Sequence, residues 1–272
     1  MSISQLTQAI HDHSSIVVLT GAGVSSGSGI PTYRNDSGQW LRSEPIQHQA
    51  FINHPTARQR YWARSLVGWP YFARAEPNGV HYKLTQWEQQ GNLDLLVTQN
   101  VDRLHQRAGH HHVIDLHGRL DQVKCLGCGM VVSRDAIQQR LLELNPGFER
   151  TTVDIRPDGD ADMPAEYVAQ LKVPSCQACS GVLMPTVVFF GGTVDRERVG
   201  QVNSAIQQAD ALMVMGSSLS VYSGFRFCRL AVAYGKSLYI VNRGLTRADD
   251  IADIKIEQDC ETILEQLSGI SD

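Results

Sequence analysis

Two C-x2-C pairs sit far apart in this chain: Cys125-Leu-Gly-Cys128 and Cys176-Gln-Ala-Cys179, with the 47 residues 129–175 between them. This spacing lets two thiolates of each pair grip one tetrahedral zinc, and one ion shared by both pairs closes the whole stretch on itself. Four cysteine ligands leave no coordination position for a substrate, so such a zinc is structural. The alternative is a set of reduced cysteines without metal. Cys228 and Cys260 remain single. Cys228, inside the apolar helix-like run 225–232, is expected to be a buried small hydrophobe.

Short apolar runs bounded by turn residues alternate with helical patterns along the rest of the chain. Strands are expected at 15–20, 93–98, 113–116, 186–190, 211–215 and 237–241, and helices at 79–90, 195–209, 222–234 and 260–267. Continuous apolar runs of this length suit strands buried on both faces. The alternation therefore predicts an α/β fold, a Rossmann-like doubly wound parallel sheet. Two regions interrupt it. Residues 34–78 hold Trp40, Tyr61, Trp62, Trp69 and Phe72 without a strand run, and are expected to form a helical and loop insertion. Residues 119–185 hold both cysteine pairs, a helix at 135–144 and a Pro/Gly/Asp-rich loop at 145–165, read as mobile, and are expected to form an inserted zinc-binding module. The main domain is then 1–118 with 186–272.

At 272 residues the chain is long enough for a full-sized core, and 42% hydrophobic with 19% charged residues is ordinary globular composition. A net charge of −4 gives no electrostatic case for nucleic acid or an anionic membrane as partner. No apolar run approaches the roughly 20 residues that span a bilayer. The first residues lack the basic start and apolar core of a signal peptide, and a cytoplasmic location is expected.

The chemistry gathers at the strand ends. Gly21-Ala22-Gly23-Val-Ser25-Ser-Gly27 follows the first strand, where a helix start can receive a phosphate. It is one residue longer than the usual dinucleotide fingerprint, and no second strand follows with the acidic residue a dehydrogenase needs. Hydride transfer is therefore disfavoured; phosphate binding and a plain tight turn both remain open. Gln99-Asn100-Val101-Asp102 follows the next strand, with amide and carboxylate groups suited to ribose hydroxyls and a carboxamide. His117-Gly118 follows the third, where a neutral imidazole can take a proton near pH 7. Gly216-Ser217-Ser218 and Asn242-Arg243-Gly244 end two later strands, and their small residues permit close approach of a ligand. His110, His111 and His112 are expected to form an exposed turn.

Together these motifs resemble the sirtuins, NAD-dependent protein lysine deacylases. The likeness runs through the loop 21–34 with its Tyr33-Arg34, Gln99-Asn-Val-Asp102, His117-Gly118, both cysteine pairs, Val187-Val-Phe-Phe-Gly191, Gly216-Ser-Ser218, Asn242 and Asp259-Cys260. The stretches 59–64 and 68–70, with Val221-Tyr-Ser-Gly-Phe225, are most similar to class II sirtuins, the group with the mitochondrial lipoamidase sirtuin. The resemblance implies NAD across the strand ends and one structural zinc. It places Gly21, Ala22, Gly23, Ser25, Gly216, Ser217 and Ser218 near phosphates and ribose. Asn242, Arg243, Gly244 and Cys260 fall at the adenosine end, with Tyr33, Arg34 and Trp40 in a loop over the cofactor.

The resemblance also implies the mechanism. Gln99, Asn100, Val101 and Asp102 hold the nicotinamide ribose and carboxamide. The acyl oxygen of a modified lysine attacks the ribose and expels nicotinamide. His117 acts as base through the ribose hydroxyls, and O-acyl-ADP-ribose and free lysine result. The acylated segment of a protein substrate is expected to add as a strand against Val188, Phe189, Phe190 and Gly191 on one side and Val221 on the other. Two positions depart from the family pattern: Gly192 stands where an acidic residue is usual, and Thr32 where Asp is frequent. Tyr61-x-x-Arg64 is similar to the pair that holds an acyl carboxylate in succinyl- and glutaryl-preferring sirtuins. It points to acyl groups longer or more acidic than acetyl, or alternatively to one packed helix face. Mono-ADP-ribosyltransferase activity is the rival function, and a monomer is the expected state.

Overall fold

The computed structural model describes residues 3–32, 45–148 and 165–268. A six-stranded parallel sheet forms the base of the molecule, from β1 (Ile16–Thr20), β2 (Leu95–Thr98), β3 (Val113–Asp115), β7 (Ala211–Met215), β8 (Ser237–Val241) and β9 (Ile254–Ile256). The spatial order is β3-β2-β1-β7-β8-β9, which counted within this sheet alone is the 3-2-1-4-5-6 of a doubly wound Rossmann fold. The strand order reverses its progression between β1 and β7, so the ligand crevice opens at their carboxyl ends.

Alternation along the strands fills both faces. Ile16, Val18, Leu96, Met213 and Val241 point to one side, against Leu6 of α1 (Ile3–His11), Leu84 of α5 (Gly79–Gln89) and Ile263 of α11 (Cys260–Ser268). Val17, Leu19, Val97, Val214 and Ile240 point to the other, against Ile206 of α9 (Arg196–Gln208) and Phe227 and Cys228 of α10 (Tyr222–Ala233). Caps set the helix starts: Asp195 accepts from the N–H groups of Glu197 and Arg198, and Asn78 and His81 form a reciprocal capping box. Cys228 is fully buried, as expected.

The second sheet is antiparallel, with β5 (Val131–Ser133), β4 (Gly118–Cys125) and β6 (Leu183–Val187) in the order β5-β4-β6. The expected parallel strand at 186–190 is corrected here. The strand ends at Val187 and belongs to the small sheet, because Gly118 and Val187 pair across β4 and β6. Beyond it the backbone turns, with the Gly192 N–H donated to Phe189 O. The short strand β9 was not anticipated, since Ile-Lys-Ile offers only a brief alternation.

Two helices, α3 (His48–Asn53) and α4 (Pro55–Arg74), form the described part of the insertion, and α7 (Arg134–Leu144) lies in the cysteine module. They share one core: Phe51, Tyr61 and Trp62 pack with Val123, Ile137, Leu171 and Phe189. Arg134 is fully buried there, its guanidinium 5.4 and 5.1 Å from the Trp62 and Trp69 ring centres and bonded to Ser65 O. The remaining helices are α2 (Ala22–Ser25), α6 (Leu104–Arg107) and α8 (Ala165–Gln170). No helix among the described residues is long and apolar enough to cross a membrane.

Candidate functional site

The floor of the crevice at the switch point is built by glycine. Gly23 donates its N–H to Gly216 O at 2.8 Å, bringing the turn after β1 onto the turn after β7. A Cβ on Gly21 would lie 2.7 Å from Ser217 Cβ. Gly216 itself has φ +61, a left-handed conformation that other residues adopt only with strain. Glycine at these positions lets the two turns touch, with the N–H groups of Gly21, Gly23 and Gly216 spent on Met215 O, Gly216 O and Val241 O, and leaves a cradle whose floor is bare main chain that a pyrophosphate can approach closely.

A cavity of about 1180 Å³ runs from this cradle to the two-sheet junction. Gly21, Ala22, Gly23, Ser25, Gln99, Asn100, Val101, Asp102 and His117 line it, as do Gly216, Ser217, Ser218, Asn242, Arg243, Gly244 and Cys260. Nearly all the strand-end residues singled out in the sequence thus meet in one space. Tyr33, Arg34 and Trp40 lie outside the described residues. Cys260 is buried with its thiol near Val241 O, and burial pushes its pKa up to about 12, so it is a packing group here and not a nucleophile.

Three polar side chains interlock at the centre. Ser25 Oγ donates to Asp102 Oδ2 at 2.7 Å, and Asn100 Nδ2 donates to Ser25 Oγ at 3.0 Å and to Gly21 O at 3.0 Å. Asp102 Oδ1 accepts the Leu104 N–H at 2.9 Å. Burial raises the Asp102 pKa, opposed by the bonds from Leu104 and Ser25. Gln99 Nε2 donates to Ser217 Oγ at 2.7 Å, joining the β2 and β7 ends.

His117 stands beside this group. Its Nδ1 lies 3.1 Å from Gln99 O, and its Nε2 lies 2.7 Å from Ser223 Oγ. A carbonyl only accepts, so Nδ1 carries the ring hydrogen and Nε2 keeps its lone pair. Burial lowers the His117 pKa to about 4, with the Arg226 cation adding to the effect and the Gln99 carbonyl opposing it. The imidazole is therefore neutral across the physiological range, as a base must be.

Much of the remaining lining is apolar: Tyr61, Ile46, Leu120, Val187, Val188, Phe189, Phe190, Gly191 and Val221. The Tyr61 and Phe189 rings pack 5.3 Å apart, centre to centre. Arg64, one turn further along α4, is buried but is not among the lining residues. The expected pairing of Tyr61 with Arg64 inside the pocket is thus met only by Tyr61.

Four thiols form the second centre. The Sγ atoms of Cys125, Cys128, Cys176 and Cys179 all lie within 4.8 Å of one another, with Cys125–Cys179 at 3.4 Å and Cys128–Cys176 at 3.7 Å. Tetrahedral Zn–S bonds of about 2.3 Å place sulfurs roughly 3.8 Å apart, so the set fits one zinc. Gly181 is required beside it, since a Cβ there would lie 2.9 Å from Cys125 Sγ.

A model of the Sir2 family matches residues 21–223. The chain belongs to the Sir2 family. An NAD-dependent protein deacetylase of Xanthomonas campestris is 50% identical to this Sir2 chain over 259 residues, covering 95% of the chain and 88% of that relative. The NAD-dependent protein deacylase Sirt4 of Drosophila melanogaster is 42% identical over 268 residues, covering 97% and 86%, in keeping with the class II likeness. Among solved structures, a Sir2 protein bound to an acetylated peptide superposes with a TM-score of 0.79 at 29% identity, covering 100% of both chains.

The Sir2 site also contains residues that motif and spacing did not reveal. Ser223 and Arg226, from the first turns of α10, line the cavity. Ser223 stands inside the Val221–Phe225 stretch singled out for its likeness, but that likeness assigns it no role, and Arg226 was hinted at only by the position of the helix after the β7 strand end. Behind Asn100, Thr98 Oγ1 accepts the Asn100 N–H at 3.1 Å, Thr20 Oγ1 donates to Thr98 Oγ1 at 2.9 Å, and His105 Nε2 lies 3.0 Å from Thr20 Oγ1. The expected exposed histidine turn is corrected at its first residue. His110 is buried with its ring 5.4 Å from that of His105, while His111 and His112 are exposed and give their N–H groups to Glu88.

Proposed function

We propose how this NAD-dependent protein deacylase, a Sir2 enzyme with one structural zinc module, divides its reaction among the residues above. Bound NAD supplies a ribose carbon made electrophilic by its nicotinamide leaving group. The glycine cradle of Gly21, Gly23 and Gly216 takes the pyrophosphate, and Asn242, Arg243, Gly244 and Cys260 enclose the adenosine end. Ser25, Asn100 and Asp102 hold the nicotinamide ribose and carboxamide, and their mutual hydrogen bonds fix the carboxylate before substrate arrives. His117 accepts a ribose hydroxyl proton at Nε2 while Nδ1–H stays on the Gln99 carbonyl. The observation that carries this division is the neutral, oriented His117 in the same cavity as Asn100, Asp102 and the glycine cradle.

The acylated lysine enters between Val188–Gly191 and Val221, as an added strand. The Val188 N–H is already given to His117 O, and Phe190 O already accepts from His48. Phe189 O likewise accepts from Gly192, so none of these three groups is offered to the incoming strand. The apolar wall around Tyr61 and Phe189 takes the acyl group and has room for chains longer than acetyl. Arg64, buried one turn from Tyr61, favours an acyl carboxylate only where the chain is long enough to reach beyond Tyr61. Deacylation is preferred over protein ADP-ribosylation because His117 is placed to drive the acyl group onto the ribose. A cytoplasmic site of action completes the proposal.

Mass spectrometry of products from NAD and an acyl-lysine peptide panel tests it, with His117→Ala and Arg64→Ala alongside. O-acyl-ADP-ribose that disappears in His117→Ala supports the assignment, and the fastest peptide names the acyl class. ADP-ribosylated protein without acyl product would move the enzyme to the transferase function. Unchanged selectivity in Arg64→Ala would remove Arg64 from acyl recognition.

A further inference from the structure

We propose that Ser223 is a positioning residue for the deacylation step, one whose hydroxyl holds His117 Nε2 toward the cavity and reverses its hydrogen bond when the imidazole takes up a proton. The proposal rests on the assignment of His117 as base and extends it to the residue that serves it.

The imidazole is gripped from two independent elements. Gln99 O, after β2, holds Nδ1 at 3.1 Å, and Ser223 Oγ, in the first turn of α10, holds Nε2 at 2.7 Å. With the ring hydrogen on Nδ1, Ser223 must be the donor in the resting enzyme. Gly224 makes the arrangement possible. A Cβ on it would lie 2.7 Å from Gln99 Oε1, so any larger residue there would push on the Gln99 amide. The helix is anchored from beneath by the buried Phe227 and Cys228. Ser223 also lines the cavity, so its hydroxyl sits where the arriving ribose hydroxyl competes for the same Nε2 lone pair.

The proton balance explains why a hydroxyl stands here. When the ribose hydroxyl displaces the serine hydrogen and gives its proton to Nε2, the freed O–H electron pair forms the bond to the acyl carbon, and the π pair of that carbon's double bond to the lysine nitrogen moves onto the nitrogen. The imidazolium then carries hydrogens on both nitrogens. Nδ1–H remains on Gln99 O, and Nε2–H is donated to Ser223 Oγ, which turns its own hydrogen away. A hydroxyl serves both states because it donates and accepts. The oxygen also offsets the Arg226 cation, which lines the same cavity and disfavours the imidazolium.

The test uses the full chain with Ser223→Ala, Ser223→Thr and His117→Ala. Steady-state deacylation of a peptide that the wild type turns over is compared with exchange of labelled nicotinamide into NAD, which reports the earlier bond cleavage. Loss of a hydrogen bond to a charged group predicts kcat for deacylation lowered roughly 10- to 100-fold in Ser223→Ala. KM for NAD should stay within about threefold, exchange should fall far less than deacylation, and Ser223→Thr should recover most of kcat. A Ser223→Ala kcat within twofold of wild type overturns the proposal, as does a Ser223→Thr variant no faster than Ser223→Ala. An insoluble Ser223→Ala leaves the threonine variant to decide, because a slow Ser223→Thr with normal thermal stability also overturns it. His117→Ala separates the two levels. Deacylation surviving in it removes the base assignment, whereas a dead His117→Ala with a normal Ser223→Ala removes Ser223 alone.

Discussion

Gly23 and Gly216 meet backbone to backbone, and a Cβ on Gly23 would lie 2.8 Å from Gly216 Cα. The contact joins the two strand ends between which the sheet reverses its winding, so it sets the width of the dinucleotide crevice. Gly216→Ala meets both a steric and a conformational penalty, since the same residue has φ +61 and a Cβ there would approach Val24 N to 2.6 Å. Calorimetric titration should show NAD affinity reduced by at least about tenfold, and denaturant unfolding a loss of about 1–3 kcal/mol.

In the proposed assignment Asp102 trades stability for function. A carboxyl whose native pKa lies above its ordinary 3.8 holds its proton more tightly when folded. Its stabilising contribution is therefore present below pH 3.8 and lost as pH rises through the native value. Asp102→Asn has no charge to bury and can still bond to Ser25 and the Leu104 N–H. Its thermal midpoint at pH 7.5 should exceed that of the wild type, with the difference shrinking on acidification, while deacylation falls roughly 100-fold.

Desolvation of His117 has a kinetic signature. With a native pKa lowered from 6.5 to about 4, the His117 imidazole stays neutral well below pH 6, as the proposed base requires. The acid limb of kcat/KM should therefore have its midpoint well under 6.5. Arg226→Gln removes the nearby cation and should move that limb to higher pH. A wild-type midpoint near 6.5 would show that water reaches the imidazole in the working enzyme.

Acid sensitivity of the fold should originate in the buried histidines. His81, lowered to about 4, and His105, held well below its ordinary range by burial, are neutral in the native state. Such groups contribute stability that is complete above pH 6.5 and lost as pH falls through their native values. Urea unfolding at pH 7.5 and pH 5 should show a smaller pH-dependent loss for His105→Gln than for the wild type, even though the variant starts about 1 kcal/mol less stable.

Metal removal should act on shape before chemistry. Elemental analysis should give one zinc per chain, lost in Cys125→Ser. Chelated protein should unfold at lower temperature and lose deacylation through collapse of the substrate wall. The Phe189 contacts in the cysteine-module core provide that link.

Five of the six strands of the large sheet were legible because they lie in apolar runs, which both faces of a buried sheet require, whereas β9 is too short and alternating to show. Most of the site was legible because each strand ends in a short polar or glycine-rich motif, and strand ends of one sheet converge. Phe189 and Phe190 misled the strand assignment: apolar composition marked them as buried sheet, whereas Phe189 serves the core shared by α3, α4 and the cysteine module, and Gly192 turns the chain. His110 looked like a surface histidine because it adjoins two that are exposed. Its burial depends on Glu88 and His105, distant or off-register partners that no local pattern encodes. Ser223 escaped notice for a related reason, since its partner His117 lies 106 positions away.

The packing of Arg134 between Trp62 and Trp69 has a consequence for engineering acyl selectivity. Because α4 shares its core and a buried cation with the cysteine module, the wall around Tyr61 belongs to a composite body. Exchanging α4 alone with that of a differently selective enzyme would strand Arg134 against foreign rings. The smallest transferable unit is the helix together with the metal-bound module, leaving the nucleotide-binding sheet as a reusable chassis.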